Sequence, residues 1–234
     1  MNRPDDLRLV PQPDAAERSA EEYLAGRRAM VENQLQRRGI EDFATLKAMG
    51  SVPRHEFVPP EFRYRAYEDV PLPIGEGQTI SQPYMTAVMA QSLELKGTET
   101  ILEVGAGSGY AAAVLGLLGA RVIAIELVPA LARLAERNLQ RTGRGGNVTV
   151  LAGDGSVGYP DAAPYDAISV AAAAPEAPAA LIAQLRDPGR LVIPVGSRHD
   201  QELVLITKQN GVTESRVVTQ CRFVPLRGAE GWRN

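Results

Sequence analysis

Glu103-Val104-Gly105-Ala106-Gly107-Ser108-Gly109-Tyr110 is the stretch whose reading decides the fold. It follows a short apolar run, Ile101–Val104, that reads as a strand, and it opens onto Tyr110–Leu118, which reads as a helix. Alternate glycines at a strand-to-helix turn let the main chain bend tightly and let a ligand approach the backbone. A dinucleotide fingerprint would read G-x-G-x-x-G. Here the third glycine comes one position early, and an acid stands two residues before the first. A second acid, Glu126, ends the next apolar run 21 residues after Gly105, where a carboxylate can accept both hydroxyls of a ribose. The plainer alternative is a glycine turn that only permits close helix–strand packing.

Outward from this loop the texture is that of alternating strands and helices. Strands fit Ile101–Val104, Val122–Glu126, Val148–Ala152, Ala167–Val170 and Leu191–Val195; helices fit Tyr110–Leu118, Pro129–Arg141 and Pro178–Leu185. Such repetition predicts parallel pairing with right-handed crossovers. Toward the end, Glu202–Lys208 and Val212–Val224 flank Asn210-Gly211, a strong hairpin signal. The expected architecture is therefore α/β: a doubly wound, mostly parallel sheet ending in an antiparallel hairpin. Asn210-Gly211 is also a favourable deamidation sequence. Gly153-Asp154-Gly155 follows the third strand, and Asp154 read alone is a turn residue.

Toward the N-terminus, Ser19 and Glu22 have capping-box spacing and open a helix to about Arg38, ended by Gly39. A second helix fits Glu41–Met49, a Pro- and Gly-rich stretch runs from Val52 to Pro83, and a third helix fits Tyr84–Leu95. A connector that long inside a compact chain is usually functional. The division predicted is a mobile tail over residues 1–18, helices with a covering loop over 19–97, and the α/β core with its hairpin over 98–234, the last two forming one compact unit.

Composition removes several mechanisms. The chain has 234 residues, one cysteine (Cys221), two histidines (His55, His199) and a formal net charge of -3. An internal disulfide is impossible and a four-ligand Cys/His zinc site cannot be assembled, so no metal is expected. Cations are outnumbered by acids, 25 to 28, and are scattered, which argues against nucleic acid as a partner. Residues Met1–Val10 are polar with Asp5 and Asp6 where an export signal would be apolar, and no run is long enough for a membrane span. The expectation is a cytoplasmic monomer.

The loop Glu103–Gly109 with Glu126 resembles the pattern of S-adenosyl-L-methionine-dependent methyltransferases, whose class I members have a Rossmann-like fold. The Pro-rich stretch narrows this. Val52-Pro53-Arg54-His55-Glu56-Phe57-Val58-Pro59 and Leu72-Pro73-Ile74-Gly75-Glu76-Gly77-Gln78-Thr79-Ile80-Ser81-Gln82-Pro83 resemble signature segments of the protein-L-isoaspartate O-methyltransferase family. The likeness continues in Gly153-Asp154-Gly155, Ala163–Ile168, Ala172–Glu176, Gly189–Gly196 and Arg222-Phe223-Val224-Pro225-Leu226, covering about Arg28 to Leu226. Ala171, Cys221 and Tyr84 depart from common family residues, and Tyr84 in place of the histidine of animal members leans toward the bacterial branch.

The resemblance implies a fold with an N-terminal helical segment and a repair activity. A methyl group passes from S-adenosyl-L-methionine to the free α-carboxylate of L-isoaspartyl residues in damaged proteins and peptides, leaving S-adenosyl-L-homocysteine. It implies Ser81 as the active-site serine within Gln78-Thr79-Ile80-Ser81, which would lie over the cofactor. Glu103 with Gly105, Ala106 and Gly107 would hold the methionine part of the cofactor, Glu126 with Leu127 the ribose and adenine face, and Asp154 with Gly155 the adenine edge. Ile80, Ser81, Val224, Pro225 and Leu226 would contact the substrate peptide. A peptide carboxylate is already ionised at neutral pH, so no general base is required, and His55 and His199 are expected to be bystanders. Two alternatives stay open: the same fold redirected to a dedicated peptide or small acid, and a non-catalytic adaptor that binds the cofactor.

Overall fold

The computed structural model describes residues 18–232. The reading of residues 1–18 as a mobile tail concerns, Arg18 apart, residues outside that range. Helix α1 (Ala20–Ala29) starts as the spacing predicts. The Ser19 hydroxyl oxygen accepts the Glu22 N–H at 3.2 Å, and the Glu22 carboxylate accepts the Ser19 N–H at 2.7 Å. Two otherwise unpaired donors of the first turn are thereby satisfied. The helical path continues through a π turn (Met30–Leu35) and a 3-10 turn (Gln36–Arg38) and stops at Gly39, which takes the left-handed φ of 89°. Helix α2 (Phe43–Ser51) begins two residues later than expected because Asp42 is its cap, accepting the Thr45 N–H at 2.8 Å.

The stretch after α2 has structure of its own. Two 3-10 segments (Arg54–Phe57 and Pro60–Arg65) lead into a small antiparallel pair, β1 (Leu72–Gly75) and β2 (Gln78–Ile80). Helix α3 (Pro83–Ser92) follows, with Pro83 in its first turn, where a missing N–H costs nothing.

The main sheet is laid down by β3 (Thr100–Val104), α4 (Tyr110–Gly116), β4 (Arg121–Glu126), α5 (Pro129–Arg141), β5 (Val148–Ala152), β6 (Tyr165–Val170), α6 (Ala179–Ala183), β7 (Leu185–Gly196), β8 (Gln201–Gln209) and β9 (Val212–Cys221). Its order is β5-β4-β3-β6-β7-β8-β9. The first five strands are parallel, and β8 and β9 add antiparallel. This is the mostly parallel sheet with a closing hairpin that the sequence predicts. Asn210 and Gly211 both have positive φ, 53° and 76°, as a two-residue primed turn requires. Strand β7 is much longer than Leu191–Val195, and α6 is shorter than Pro178–Leu185.

Strand alternation splits the apolar residues between two cores. Ile101, Val122, Ala124 and Ala167 face the layer built by α1 to α5. Leu102, Val104, Ile123, Ile125, Ile168 and Val170 face the other side, covered by Leu181 of α6, Tyr165 and Leu226. Each fully buried aliphatic side chain contributes about 1.5–3 kcal/mol to the stability of the frame beneath the site. The chain leaves β3 toward β4 and β5 on one side and toward β6 and β7 on the other. The loops after β3 and β6 therefore diverge, opening a crevice at the strands' carboxyl ends.

Candidate active site

That crevice is a single cleft whose walls come mainly from five parts of the chain, with Thr86 of α3 and Ala171–Ala172 after β6 adding to them. The five are Gln78–Ser81 from β2, the glycine loop Gly105–Ser108, Ile125–Leu127 after β4, Gly155 after β5, and Val224–Arg227 near the end of the chain. The glycine loop is folded by its own backbone. The Gly105 and Ala106 N–H groups both donate to the Ile125 carbonyl, at 2.8 and 3.1 Å, and the Gly109 N–H donates to the Ala106 carbonyl at 2.8 Å. Gly107 has φ of 55°, and a Cβ there would stand 3.1 Å from Ile74 Cδ1, so the β1–β2 pair sits directly on the loop. Gly155 has an ordinary φ, but a Cβ on it would meet Val104 Cγ1 at 2.6 Å; only glycine lets this segment close on β3.

Glu126, 7% exposed, braces the loop from the end of β4. Its Oε2 accepts the Gly107 N–H at 2.8 Å and its Oε1 accepts the Val128 N–H at 2.9 Å. Glu103 differs. Its neighbour Val104 lines the cleft, whereas Glu103 is 1% exposed and does not, and among the described residues no group donates to either of its carboxylate oxygens. Burial pushes its carboxyl well above the usual carboxylate range, and Glu126 nearby pushes the same way.

Asp154 departs from expectation more sharply. Gly155 lines the cleft, but Asp154 does not. Asp154 Oδ1 accepts the Ser156 N–H at 2.9 Å and the Ser156 hydroxyl at 2.7 Å, and Oδ2 accepts the Ala229 N–H at 2.7 Å. Partial burial works against ionisation, but these hydrogen bonds outweigh it and hold the carboxyl below its ordinary value. The side chain thus ties down the C-terminal segment. The Ser156 hydroxyl accepts the Glu230 N–H at 3.0 Å, the Leu226 N–H donates to Ala173 O at 2.7 Å, and Trp232 Nε1 donates to the same carbonyl at 2.9 Å. Val224–Leu226 are held against the cleft by this strap.

Every other site residue expected from the sequence lines the cleft: Gln78, Thr79, Ile80, Ser81, Gly105, Ala106, Gly107, Glu126, Leu127, Gly155, Val224, Pro225 and Leu226. Thr86, Ser108, Tyr110, Ala111, Ala171, Ala172 and Arg227 line it too and were not expected. Ala171 and Ala172 directly follow β6, so the rule that ligands bind outside strand carboxyl ends could have found them. A second opening shares Thr79, Ser81, Ala171 and Val224 with the cleft and runs out past Arg38, Tyr84 and β9 residues Thr219–Cys221. Ser81 stands where the two meet.

The remaining candidates lie elsewhere. His55 stacks on Tyr23, ring centroids 3.8 Å apart, and its Nδ1 is 2.7 Å from the Tyr67 hydroxyl. Burial, then the cations Arg27, Arg63 and Arg141, lower its pKa to about 4. His199 is exposed in a turn closed by the Ser197 hydroxyl. Cys221 is half-buried in β9, its thiol pushed up to about 11 by burial and by Glu202. Arg54, fully buried, donates from Nε to the Ala66 carbonyl at 2.8 Å and lies 4.9 Å from the centroid of the Tyr110 ring, supporting from below a residue that lines the cleft. Among the described residues no group of His, Cys, Asp and Glu could hold a metal ion, and no helix is long and apolar enough to cross a membrane.

Residues 25–231 match the family model described as protein-L-isoaspartate(D-aspartate) O-methyltransferase (PCMT). Protein-L-isoaspartate O-methyltransferase 2 of Marinobacter nauticus is 54% identical over 208 residues, 88% of this chain and 94% of that one. A solved protein-L-isoaspartate O-methyltransferase superposes with a TM-score of 0.78 at 29% identity, over 87% of this chain and 66% of that one. A beta-aspartate methyltransferase (PCMT) from Plasmodium falciparum, solved in complex with S-adenosyl-L-homocysteine, superposes with a TM-score of 0.73 at 28% identity, over 86% and 98%.

Proposed function

The chain belongs to the protein-L-isoaspartate(D-aspartate) O-methyltransferase family, and from that premise we propose how its cleft performs the reaction. The enzyme transfers a methyl group from S-adenosyl-L-methionine to the free α-carboxylate of L-isoaspartyl residues in proteins and peptides, leaving S-adenosyl-L-homocysteine. The cleft suits that cofactor on two counts. Gly105 and Gly107 let a ligand approach the loop's main chain, and the buried Glu103 carboxylate, which no group among the described residues satisfies, would favour a cationic ligand.

The cofactor supplies a methyl group on a cationic sulfur whose departing thioether is neutral. Of the residues lining the cleft, Gln78–Ser81 would cover the cofactor, Gly105–Gly107 would hold its methionine part, Glu126 and Leu127 its ribose and adenine face, and Gly155 its adenine edge. Asp154 acts at one remove, holding the strap that carries Val224–Leu226. Those three residues and Ile80 guide the substrate chain. Ser81 donates one hydrogen bond to the reacting carboxylate and fixes its direction. A carboxylate ionised at neutral pH needs no base, and several strong donors would slow it by stabilising the ground state more than the less charged transition state. The chain's task is alignment and partial desolvation.

The observation that carries this reading is the position of Ser81, at the junction of the cleft that holds the glycine loop and the opening that leads to the surface along β9. Ser81→Ala tests it. Turnover on an isoaspartyl peptide should fall about tenfold or more as the carboxylate loses its fixed direction, while cofactor affinity stays within a few-fold. Undiminished methylation by the variant removes Ser81 from the mechanism. The lone thiol of Cys221, half-buried, and the scattering of exposed large apolar residues support a cytoplasmic monomer, and the net charge of -3 supports a protein that works without nucleic acid.

A further inference from the structure

The turn between β8 and β9 carries a chemical hazard remote from the reaction site. In an Asn-Gly pair, the glycine nitrogen can lose its proton and bond to the asparagine Cγ. The Cγ–Nδ2 bond then breaks and ammonia leaves, and water opens the resulting five-membered imide at either carbonyl, giving aspartate or isoaspartate. Glycine makes this easy because no side chain shields its nitrogen. The primed turn, with φ of 53° and 76°, accounts for the choice of Asn210 and Gly211, since few other pairs adopt that conformation.

The turn is not left bare. Strands β7 and β8 pair with Gly189 opposite Lys208, and continuing that register sets Asp187 opposite Asn210. Both oxygens of the Asp187 carboxylate are engaged there. Oδ1 accepts the Asn210 N–H at 2.8 Å and Oδ2 accepts the Gly211 N–H at 2.5 Å. Gln209 and Val212 close the turn on the opposite strand.

We propose that Asp187 guards Asn210-Gly211 against isomerisation by clamping the two backbone N–H groups of the turn. The proton that must leave for the imide to form is the one held on Oδ2. Its departure would set a nitrogen anion beside a carboxylate, which the like charge opposes. The clamp also fixes the Gly211 nitrogen on the β7 side of the turn, against the rotation that would carry it toward Cγ of Asn210. The guard comes from a different strand, so it exists only in the folded protein.

The full chain is incubated without S-adenosyl-L-methionine, so that methylation cannot remove the product, and isoaspartate at position 210 is followed by peptide mapping and mass spectrometry. Wild type is compared with Asp187→Ala, with Asp187→Asn and with a synthetic peptide of residues 206–215. The peptide should isomerise fastest and wild type slowest. Asp187→Ala removes both bonds and should exceed wild type by about fivefold or more, the value of the exposed charge-assisted bond that holds the reacting Gly211 N–H. Asp187→Asn keeps the shape and one acceptor oxygen, so it reads the charge in a turn that still folds; it should fall between wild type and Asp187→Ala. Variants no faster than wild type overturn the proposal, as does a slower Asp187→Ala, which would make the carboxylate a base that promotes the reaction. The readout requires no methyl transfer, so it stands apart from the reading of the active site.

Discussion

Glu126→Gln separates holding the glycine loop from holding a ligand. The wild-type carboxylate is nearly buried and accepts the Gly107 N–H at 2.8 Å and the Val128 N–H at 2.9 Å, one on each oxygen. The amide can keep one of these bonds and must turn its NH2 toward the other donor. A hydrogen bond to a charged group is worth about 1.5–3 kcal/mol, so stability should fall by about that amount. For a chain of this size 1 kcal/mol moves the midpoint by about 2–4 °C, giving a drop of about 3–12 °C. If the same carboxylate also takes a ribose, a second charged hydrogen bond weakens on binding, and affinity for S-adenosyl-L-homocysteine should fall by about 10- to 150-fold. Scanning calorimetry reads the first quantity and titration calorimetry the second. Normal affinity with reduced turnover would remove Glu126 from the ribose. An unchanged midpoint would refute the bracing of Gly107.

Glu103→Gln should act in opposite directions on stability and binding. Because the folded carboxyl is pushed above its unfolded value, its contribution to stability is full below the unfolded value and is lost as pH rises through the folded one. The variant, which cannot ionise, should therefore gain in midpoint over wild type as pH rises from 5 to 9, while binding the cationic cofactor more weakly; a midpoint difference independent of pH contradicts the buried-carboxylate account. His55 has the other sign. Its folded pKa of about 4 lies below the unfolded value, so the stability it contributes is complete above about pH 6.5 and lost as pH falls toward 4. His55→Phe keeps the stack on Tyr23 and removes the titration, and at pH 5 it should be spared a loss of about 2 kcal/mol that wild type suffers, measured by denaturant unfolding at both pH values. Equal losses would mean that His55 is not held neutral.

The parts of the fold that could be read from the chain are those whose signals are local and periodic. Strands β3 to β5 each carry an apolar run bounded by turn residues, and Asn210-Gly211 states its own turn. The β1–β2 pair escaped because strands of four and three residues, interrupted by Pro73 and Gly75, show no alternation. Asp154 shows a different limit: read alone it is a turn residue, as its hydrogen bonds to Ser156 bear out, and only the resemblance assigned it to the adenine edge. Asp-Gly after a strand looks the same whether the carboxylate faces a ligand or a backbone amide, and its partner Ala229 lies 75 residues away in sequence. The direction of Glu103 was available in principle, since in β3 it alternates with Val104 and shares a face with Ile101. The burial of Arg54 was not, because an arginine is exposed by default and only tertiary packing on Tyr110 overrides that.

The central claim is that the chain methylates the isoaspartyl carboxylate and needs no proton chemistry of its own to do so. An isoaspartyl peptide and its normal aspartyl twin, each incubated with methyl-labelled S-adenosyl-L-methionine, test this most directly. The account predicts label in the isoaspartyl peptide alone, at a rate that does not fall when pH drops from 8 to 6. Label in neither peptide, or equal label in both, would contradict it.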